Sequence, residues 1–305
     1  MKINASPKGQ VVVIGASGQL GSDVVECLHE QQIAAIALDK ATLNITDGIA
    51  IQEKITGDVS WVINCAAYTD VNRAEEFPSQ AAAVNVRGVE LLARRAKELG
   101  AKFMHISTDF VFDGLKSTPY LESDAAHPLN VYGKTKYEGE QVAQEINSQG
   151  TWIIRTSWLY GTHGQNFVKK ILTKLEQKSD IQVVSDQIGS PTSSLDLAHG
   201  MVELIKAKQS PAPGIYHFAN SGQASWFEFA EEIVRLTNHT DVKVTPVSSE
   251  NLASGVKRPG YSVLGTTKWI EAGFHPIRPW KVALRDYLKN YSSDSENSQS
   301  NVLEM

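Results

Sequence analysis

The sequence predicts an α/β protein, a doubly wound parallel sheet followed by a smaller C-terminal α/β lobe. Three observations carry this prediction. Short β-branched runs alternate with stretches of helical periodicity through the first half. A glycine-rich turn joins the first run to the first helical stretch. Prolines crowd the second half, where the alternation becomes irregular.

Taken in order, Val11-Val12-Val13-Ile14 is apolar at every position, as a strand covered on both faces requires. Leu20, Val24, Val25 and Leu28 then recur at helical spacing up to about residue 30. Segments 33–38, 61–64, 102–107 and 152–156 read as the second to fifth strands. Long helices are expected over 74–99 and 132–146. Beyond Trp158, helical stretches at 167–175, 195–205, 227–236 and 282–288 are separated by strand-like pieces at 181–184 and 215–218. The reading places one lobe in residues 1–160 and most of a second in 161–291, with the chain free to cross between them. Residues 292–305, rich in Ser, Asn and Glu, are expected to form a disordered tail.

Composition narrows the function classes. The 305 residues carry 29 basic and 34 acidic side chains, a net charge of −5, with 42% hydrophobic residues. That balance argues against binding a nucleic-acid backbone, which demands a basic face. No apolar run approaches the roughly 18 residues of a membrane span, and residues 1–10 lack the apolar core of a signal peptide. Cys27 and Cys65 are too few for a disulfide framework and too isolated for a metal site. The expectation is a soluble, cytoplasmic protein.

Gly15-Ala16-Ser17-Gly18-Gln19-Leu20-Gly21 follows a strand and opens a helix. Gly15 makes the tight turn, Gly18 admits a pyrophosphate against backbone, and Gly21 lets helix and sheet pack closely. The spacing is G-x-x-G-x-x-G. Asp39 ends the second strand about 20 residues on, where a carboxylate can accept from a ribose hydroxyl. Strand, turn, helix, strand and acid in this order indicate a Rossmann-type site for a nicotinamide dinucleotide. Asp39 repels a 2′-phosphate and favours NADH, whereas the adjacent Lys40 neutralises one and admits NADPH. The two residues leave that choice open.

Tyr132 and Lys136 stand at i and i+4, neighbours on one helix face. A free phenol has a pKa near 10, and lowering it by about 3 units takes roughly 4 kcal/mol. An ammonium about 4 Å away supplies about that much at an effective dielectric near 20. The pair is chemically sufficient for proton transfer. It lies after the fourth strand, which ends in Ile106-Ser107-Thr108-Asp109 beside the expected cofactor. A hydroxyl at Thr108 can bond a substrate oxygen and the phenol together.

These residues resemble the extended short-chain dehydrogenase/reductase superfamily, and the resemblance goes further. Residues 107–114 (STDFVFDG), 128–136 (PLNVYGKTK), 155–160 (RTSWLY) and 186–192 (DQIGSPT), and Arg258-Pro259 with Ser262 and Leu264 behind them, resemble the dTDP-4-dehydrorhamnose reductase family. The resemblance runs from about Val11 to Leu288, with the motifs in order. It implies NADPH- or NADH-dependent reduction of the C4 keto group of dTDP-6-deoxy-L-lyxo-4-hexulose to dTDP-L-rhamnose. Tyr132 would protonate the reduced oxygen, Thr108 would tune Tyr132, and Lys136 would lower its pKa and hold the ribose. Gly18, Gln19, Leu20, Asp39, Asn44, Ile45, Ala67, Tyr68 and Thr69 would line the cofactor, with Ile106 beside it. Trp158 would line the sugar together with Thr108 and Asp109, while Asn166, Thr192 and Arg258 would face the nucleotide diphosphate. The chain departs from the family pattern where Phe110 replaces a tyrosine and Asn44 an aspartate. It also lacks glutamates in Lys281-Val282-Ala283-Leu284-Arg285, where some members bridge a metal. No metal site is expected, and monomer and homodimer both remain open.

Two other readings share these features. A 4,6-dehydratase of the superfamily would need a glutamate where Phe110 stands; a 4-epimerase is excluded less firmly. A non-catalytic NADP-binding regulatory subunit, of the kind associated with methionine adenosyltransferase, resembles the same family. The intact Thr108, Tyr132 and Lys136 favour an enzyme.

Overall fold

The computed structural model describes residues 9–239, 241–251 and 255–300. Its first half contains β1 (Gln10–Ile14), α1 (Gln19–Glu30), β2 (Ala35–Leu38), α2 (Gly48–Lys54) and β3 (Val59–Asn64). Next come α3 (Val71–Glu76), α4 (Pro78–Ala82), α5 (Val89–Glu98), β4 (Lys102–Thr108), α6 (Val131–Asn147) and β5 (Thr151–Thr156). The second half begins with β6 (Leu159–Tyr160), α7 (Phe167–Glu176), β7 (Ile181–Val184), β8 (Ile188–Gly189) and β9 (Thr192–Ser193). It continues with α8 (Ser194–Lys206), β10 (Gly214–His217), β11 (Ala224–Ser225), α9 (Trp226–Leu236), β12 (Val244–Val247), α10 (Thr267–Glu271) and α11 (Trp280–Ser300).

Six strands form one parallel sheet in the order β10-β5-β4-β3-β1-β2. The uniform apolar character of β1 now has its cause. Val11 and Val13 face Val24 and Leu28 of α1 and Met201 of α8, whereas Val12 and Ile14 face Ile51 of α2 and Leu92 of α5. Successive side chains point to opposite faces, and both faces are covered. The strand order reverses at β1, which lies between β2 and β3. Ligands of such sheets bind at that switch point, outside the carboxyl ends of the strands.

Two expectations change, and the crossing left open for 161–291 is located. The long helix over 74–99 is broken, because Pro78 opens α4 and holds Phe77 at φ −127°, ψ 59°. A π-helical turn at Ala83–Gly88 then leads into α5. Parts of 161–291 return to the main sheet: β10 pairs with β5, Ile215 opposite Ile153, and α8 packs beside α1. The backbone of α11 stays helical through Ser300, into the segment expected to be disordered. Extending a helix already anchored by Leu284 and Leu288 avoids the cost of nucleation. Residues 301–305 lie outside the described residues.

The second lobe gathers Leu172 and Leu175 of α7, Phe229 and Ile233 of α9, and Leu284 of α11 against Ile181 of β7. Among the described residues, no helix is long and apolar enough to cross a membrane.

Candidate active site

The turn after β1 is built for close backbone approach. Gly15 has φ 75°, and a Cβ there would lie 2.8 Å from Ala66 N. A Cβ on Gly21 would meet Gly15 O at 2.1 Å, so only glycine lets α1 pack here. Gly18 caps α1 without a side-chain bond, and the first turn holds no acid. An uncapped helix start with uncommitted amides suits a pyrophosphate, so these residues fit a dinucleotide. The Leu20 side chain lies in the core and can serve only through its amide. Gln19 Oε1 accepts from Asn166 Nδ2 at 3.0 Å, tying the turn to the start of α7.

Asp39 follows β2. Its Oδ1 accepts from Ala41 N and Thr42 N, both at 3.0 Å, and from Thr42 Oγ1 at 2.9 Å. The Thr42 hydroxyl above all holds this carboxyl below its ordinary range. Among the described residues, Oδ2 has no donor of its own. Lys40 is exposed beside it. Asn44 and Ile45 are turned to structural work. Asn44 Oδ1 accepts from Thr46 N and Thr46 Oγ1 at 3.1 and 2.9 Å, closing the turn before α2. Ile45 is buried and sits over Gly88, where a Cβ would come within 2.7 Å of it.

Ala67, Tyr68 and Thr69 follow β3 in a loop that Asn85 clamps. Tyr68 N donates to Asn85 Oδ1 at 2.8 Å, and Asn85 Nδ2 donates to Tyr68 O at 3.1 Å and to Thr135 Oγ1 at 3.1 Å. Asn85 is fully buried in the π-helical turn, the kind of insertion found at functional sites. Sequence reasoning missed it. The available signal was a polar residue in line with the buried Ala81 and Val89, one turn to either side.

β4 and α6 bring together Thr108, Tyr132 and Lys136, the residues expected to transfer the proton. Asn130 caps α6 by accepting from Gly133 N at 2.8 Å, and its Nδ2 donates to Lys257 O at 2.9 Å. Gly133 lets the helix pass the turn after β4, since a Cβ there would lie 2.2 Å from Phe110 O. Desolvation in this crevice pushes the Tyr132 phenol up to about 12; a hydrogen bond with Thr108 works against that rise, and the Asp109 charge adds to it. Phe110 packs edge-on against Tyr132, with centroids 5.6 Å apart. Lys136 is buried and donates to Ile106 O at 2.6 Å. Burial lowers its ammonium to about 8, opposed by Glu140 and Cys65. The expected depression of Tyr132 by Lys136 is therefore not found, because Nζ turns onto the β4 carbonyl and Thr108 exerts the opposing pull.

Asp109 is buried with both oxygens engaged. Thr108 Oγ1 donates to Oδ1 at 3.1 Å and Ser262 Oγ to Oδ2 at 2.5 Å. Burial raises this carboxyl to about 6. Both oxygens are thus engaged by Thr108 and Ser262, where a substrate contact was expected. Ser107 Oγ is buried without a partner among the described residues, one position before Thr108.

The second lobe supplies the remaining wall. Trp158 adopts φ 48°, rare for a bulky residue. It stacks on Trp226 with centroids 3.6 Å apart and lies over Gly189, where a Cβ would come within 2.4 Å of the indole. Asn166 and Thr192, expected at the diphosphate, both have partners within the protein. Asn166 caps α7 through Lys169 N at 3.1 Å and donates to Gly161 O at 2.8 Å. Thr192 is fully buried and donates to Ser190 O at 3.1 Å. Arg258 remains available: Nη2 donates to Asn72 Oδ1 at 3.2 Å, and its buried Nε has no partner among the described residues.

The family described as the RmlD substrate binding domain matches residues 9–293. A dTDP-4-keto-6-deoxy-D-glucose reductase of Streptomyces niveus is 38% identical over 274 residues, covering 90% of this chain and 94% of that protein. A dTDP-4-dehydrorhamnose reductase of Streptomyces griseus is 39% identical over 283 residues, covering 92% and 93%. The solved structure of a dTDP-4-dehydrorhamnose reductase from Bacillus anthracis, in complex with NADP, superposes with a TM-score of 0.87 at 37% identity, covering 93% of this chain and 99% of that one. With the glycine turn, the Thr108–Tyr132 contact and the buried Lys136 in one crevice, and with relatives matching along nearly its whole length, the chain belongs to the dTDP-4-dehydrorhamnose reductase family.

Proposed function

We propose that this protein reduces the C4 keto group of dTDP-6-deoxy-L-lyxo-4-hexulose with NADPH or NADH, giving dTDP-L-rhamnose in the cytoplasm. The observation that carries the reading is the Tyr132–Thr108 contact at the carboxyl end of β4, beside the uncapped start of α1. The nicotinamide, when bound, supplies the hydride that reaches C4. Amides of Gln19 and Leu20 bind the pyrophosphate beside Gly18, whose own amide closes the turn onto Gly15 O at 2.9 Å; Asp39 accepts from the adenine ribose, and Lys136 holds the second ribose. A phenol raised to about 12 is fully protonated at neutral pH, as a donor to the reduced oxygen must be. Thr108 keeps Tyr132 in line for the substrate oxygen; Asp109 holds Thr108, and Ser262 holds Asp109. Trp158 lines the sugar, and Arg258 offers its free Nε to the diphosphate.

The relatives differ in the named sugar and agree on a 4-keto group of a dTDP-6-deoxyhexose. The test is NADPH consumption by the purified protein. It is expected with a dTDP-4-keto-6-deoxy-L-hexose and absent with dTDP-glucose. No consumption with the keto sugar sinks the proposal.

A further inference from the structure

Behind Lys136 lies a buried polar chain that the reduction as described leaves without a role. β3 and β4 run in parallel with Asn64 opposite His105, and both side chains are fully buried. Asn64 Oδ1 accepts from Ala66 N at 3.1 Å. A backbone N–H can only donate, so this bond decides which end of the Asn64 amide is oxygen. Asn64 Nδ2 then faces His105 Nδ1 at 3.2 Å as a donor. A neutral imidazole that accepts at Nδ1 carries its proton on Nε2. That nitrogen lies 3.3 Å from Lys136 Nζ. Burial, reinforced by Lys136, holds His105 well below its ordinary value and so keeps it neutral. Cys65 and Glu140 also face Lys136, and Glu140 is paired to Arg155 at 2.6 Å.

We propose that Asn64 and His105 are positioning residues that lock one imidazole tautomer behind Lys136, so that the neutral amine left after Lys136 gives up a proton finds a donor for its lone pair. The proposal deepens the reductive reading and rests on it. When the Tyr132 O–H bond breaks and its proton joins the substrate oxygen, a bridging water gives a proton to the phenolate and takes one from the Lys136 ammonium, whose Nζ lies on Ile106 O. An N–H bond of Lys136 breaks, and the electron pair left on Nζ accepts from His105 Nε2–H. Solvent returns the proton to Nζ for the next turnover. Without the lock, Lys136 would hold its proton too tightly to pass it on near neutral pH.

Asn64→Asp tests this with almost no change of shape. A carboxylate at 64 accepts from both the Ala66 amide and an imidazole Nδ1–H, which turns the Nε2 lone pair onto the Lys136 ammonium. Nitrogen-15 NMR of His105 reads the tautomer with no substrate or cofactor present. The proton is expected on Nε2 in the wild type and on Nδ1 in Asn64→Asp. In the pH profile of kcat/KM, the alkaline limb set by Lys136 is expected to move up by about one unit, tenfold in proton affinity, in Asn64→Asp. His105→Leu, which deletes the donor, should move it the same way. His105→Gln can accept from Asn64 and donate to Lys136, and should keep the wild-type limb. An Nδ1 proton in the wild type overturns the lock. So does an unmoved limb in both Asn64→Asp and His105→Leu while these variants stay folded and bind NADPH. A wild type that never consumes NADPH refutes the reductive reading instead, and the tautomer then decides the lock alone.

Discussion

A phenol held near 12 differs from the near-neutral acid that a tyrosine–lysine pair suggests, and in a reduction the difference helps. The proton has to be on Tyr132 before the carbonyl can take it, and burial keeps it there. Tyr132→Phe should therefore lower kcat by about 10²–10⁴ while leaving NADPH binding intact, read by steady-state assay and fluorescence titration. Asp109 makes a second prediction. Its carboxyl rises from 3.8 to about 6 on folding, so the folded state binds this proton more tightly than the unfolded chain. The resulting stabilisation is fully present below the unfolded value and is lost as pH rises through about 6, an effect on the order of 2–3 kcal/mol. Asp109→Asn should remove that dependence, so its Tm should gain on the wild type between pH 4 and pH 7. A constant Tm difference across that range would show that Asp109 does not titrate there. The placement of Tyr132, Lys136 and Thr108 was legible because helix spacing and a strand end dictate where they lie. The protein partners of Asn166, Thr192 and Asp109 were not, because a hydroxyl, amide or carboxylate at a loop reads the same whether it faces a ligand or a neighbouring amide.

Among the elements, the glycine turn and α1 were read correctly from spacing, and the structure adds the reason for the third glycine. A Cβ at position 21 would sit 2.1 Å from a backbone carbonyl, which cannot yield as a side-chain end can. Gly21→Ala must push α1 away from the turn, at a cost of about 1–3 kcal/mol. The expected results are a lower Tm and NADPH affinity weakened by tenfold or more, measured by calorimetric titration. Unchanged affinity would show that the pyrophosphate does not use these amides. The stretch 74–99 was misread because apolar spacing carries on across Pro78, while the proline and the π-helical turn reset the helix axis. That break delivers Asn85 to the loop after β3. Gly139 on α6 makes room for the same turn, since a Cβ there would lie 2.2 Å from Asn85 O.

For the whole molecule, the feature with functional consequence is the loop 257–262, which ties the second half of the chain to the first. Lys257 O, Arg258 and Ser262 reach Asn130, Asn72 and Asp109 across the crevice. Gly114, at φ 75°, leaves room for the backbone of Pro259 and Gly260 to pass. One loop of the second half therefore meets the cap of α6, the clamp on Thr108 and the open end of the sheet. A chain of net charge −5 has no global pull on an anionic substrate and must place single cations where they count. Arg258→Ala should raise KM for the nucleotide sugar about tenfold with kcat little changed, since a diphosphate contact serves ground and transition states alike. A fall in kcat at constant KM would assign Arg258 to the reacting centre instead.

Sequence by itself determined the sheet, the glycine turn and the placing of Thr108, Tyr132 and Lys136 around one strand end, because each follows from local spacing along a strand or a helix. Tertiary structure alone decided what those groups touch. It turned Lys136 onto Ile106 and His105, moved β10 and α8 back to the main sheet, and drew Asn85 and Ser262 into the site from distant positions. The physical reason is that hydrogen-bond partners and desolvation depend on neighbours brought together by packing, and no periodicity in the chain encodes them.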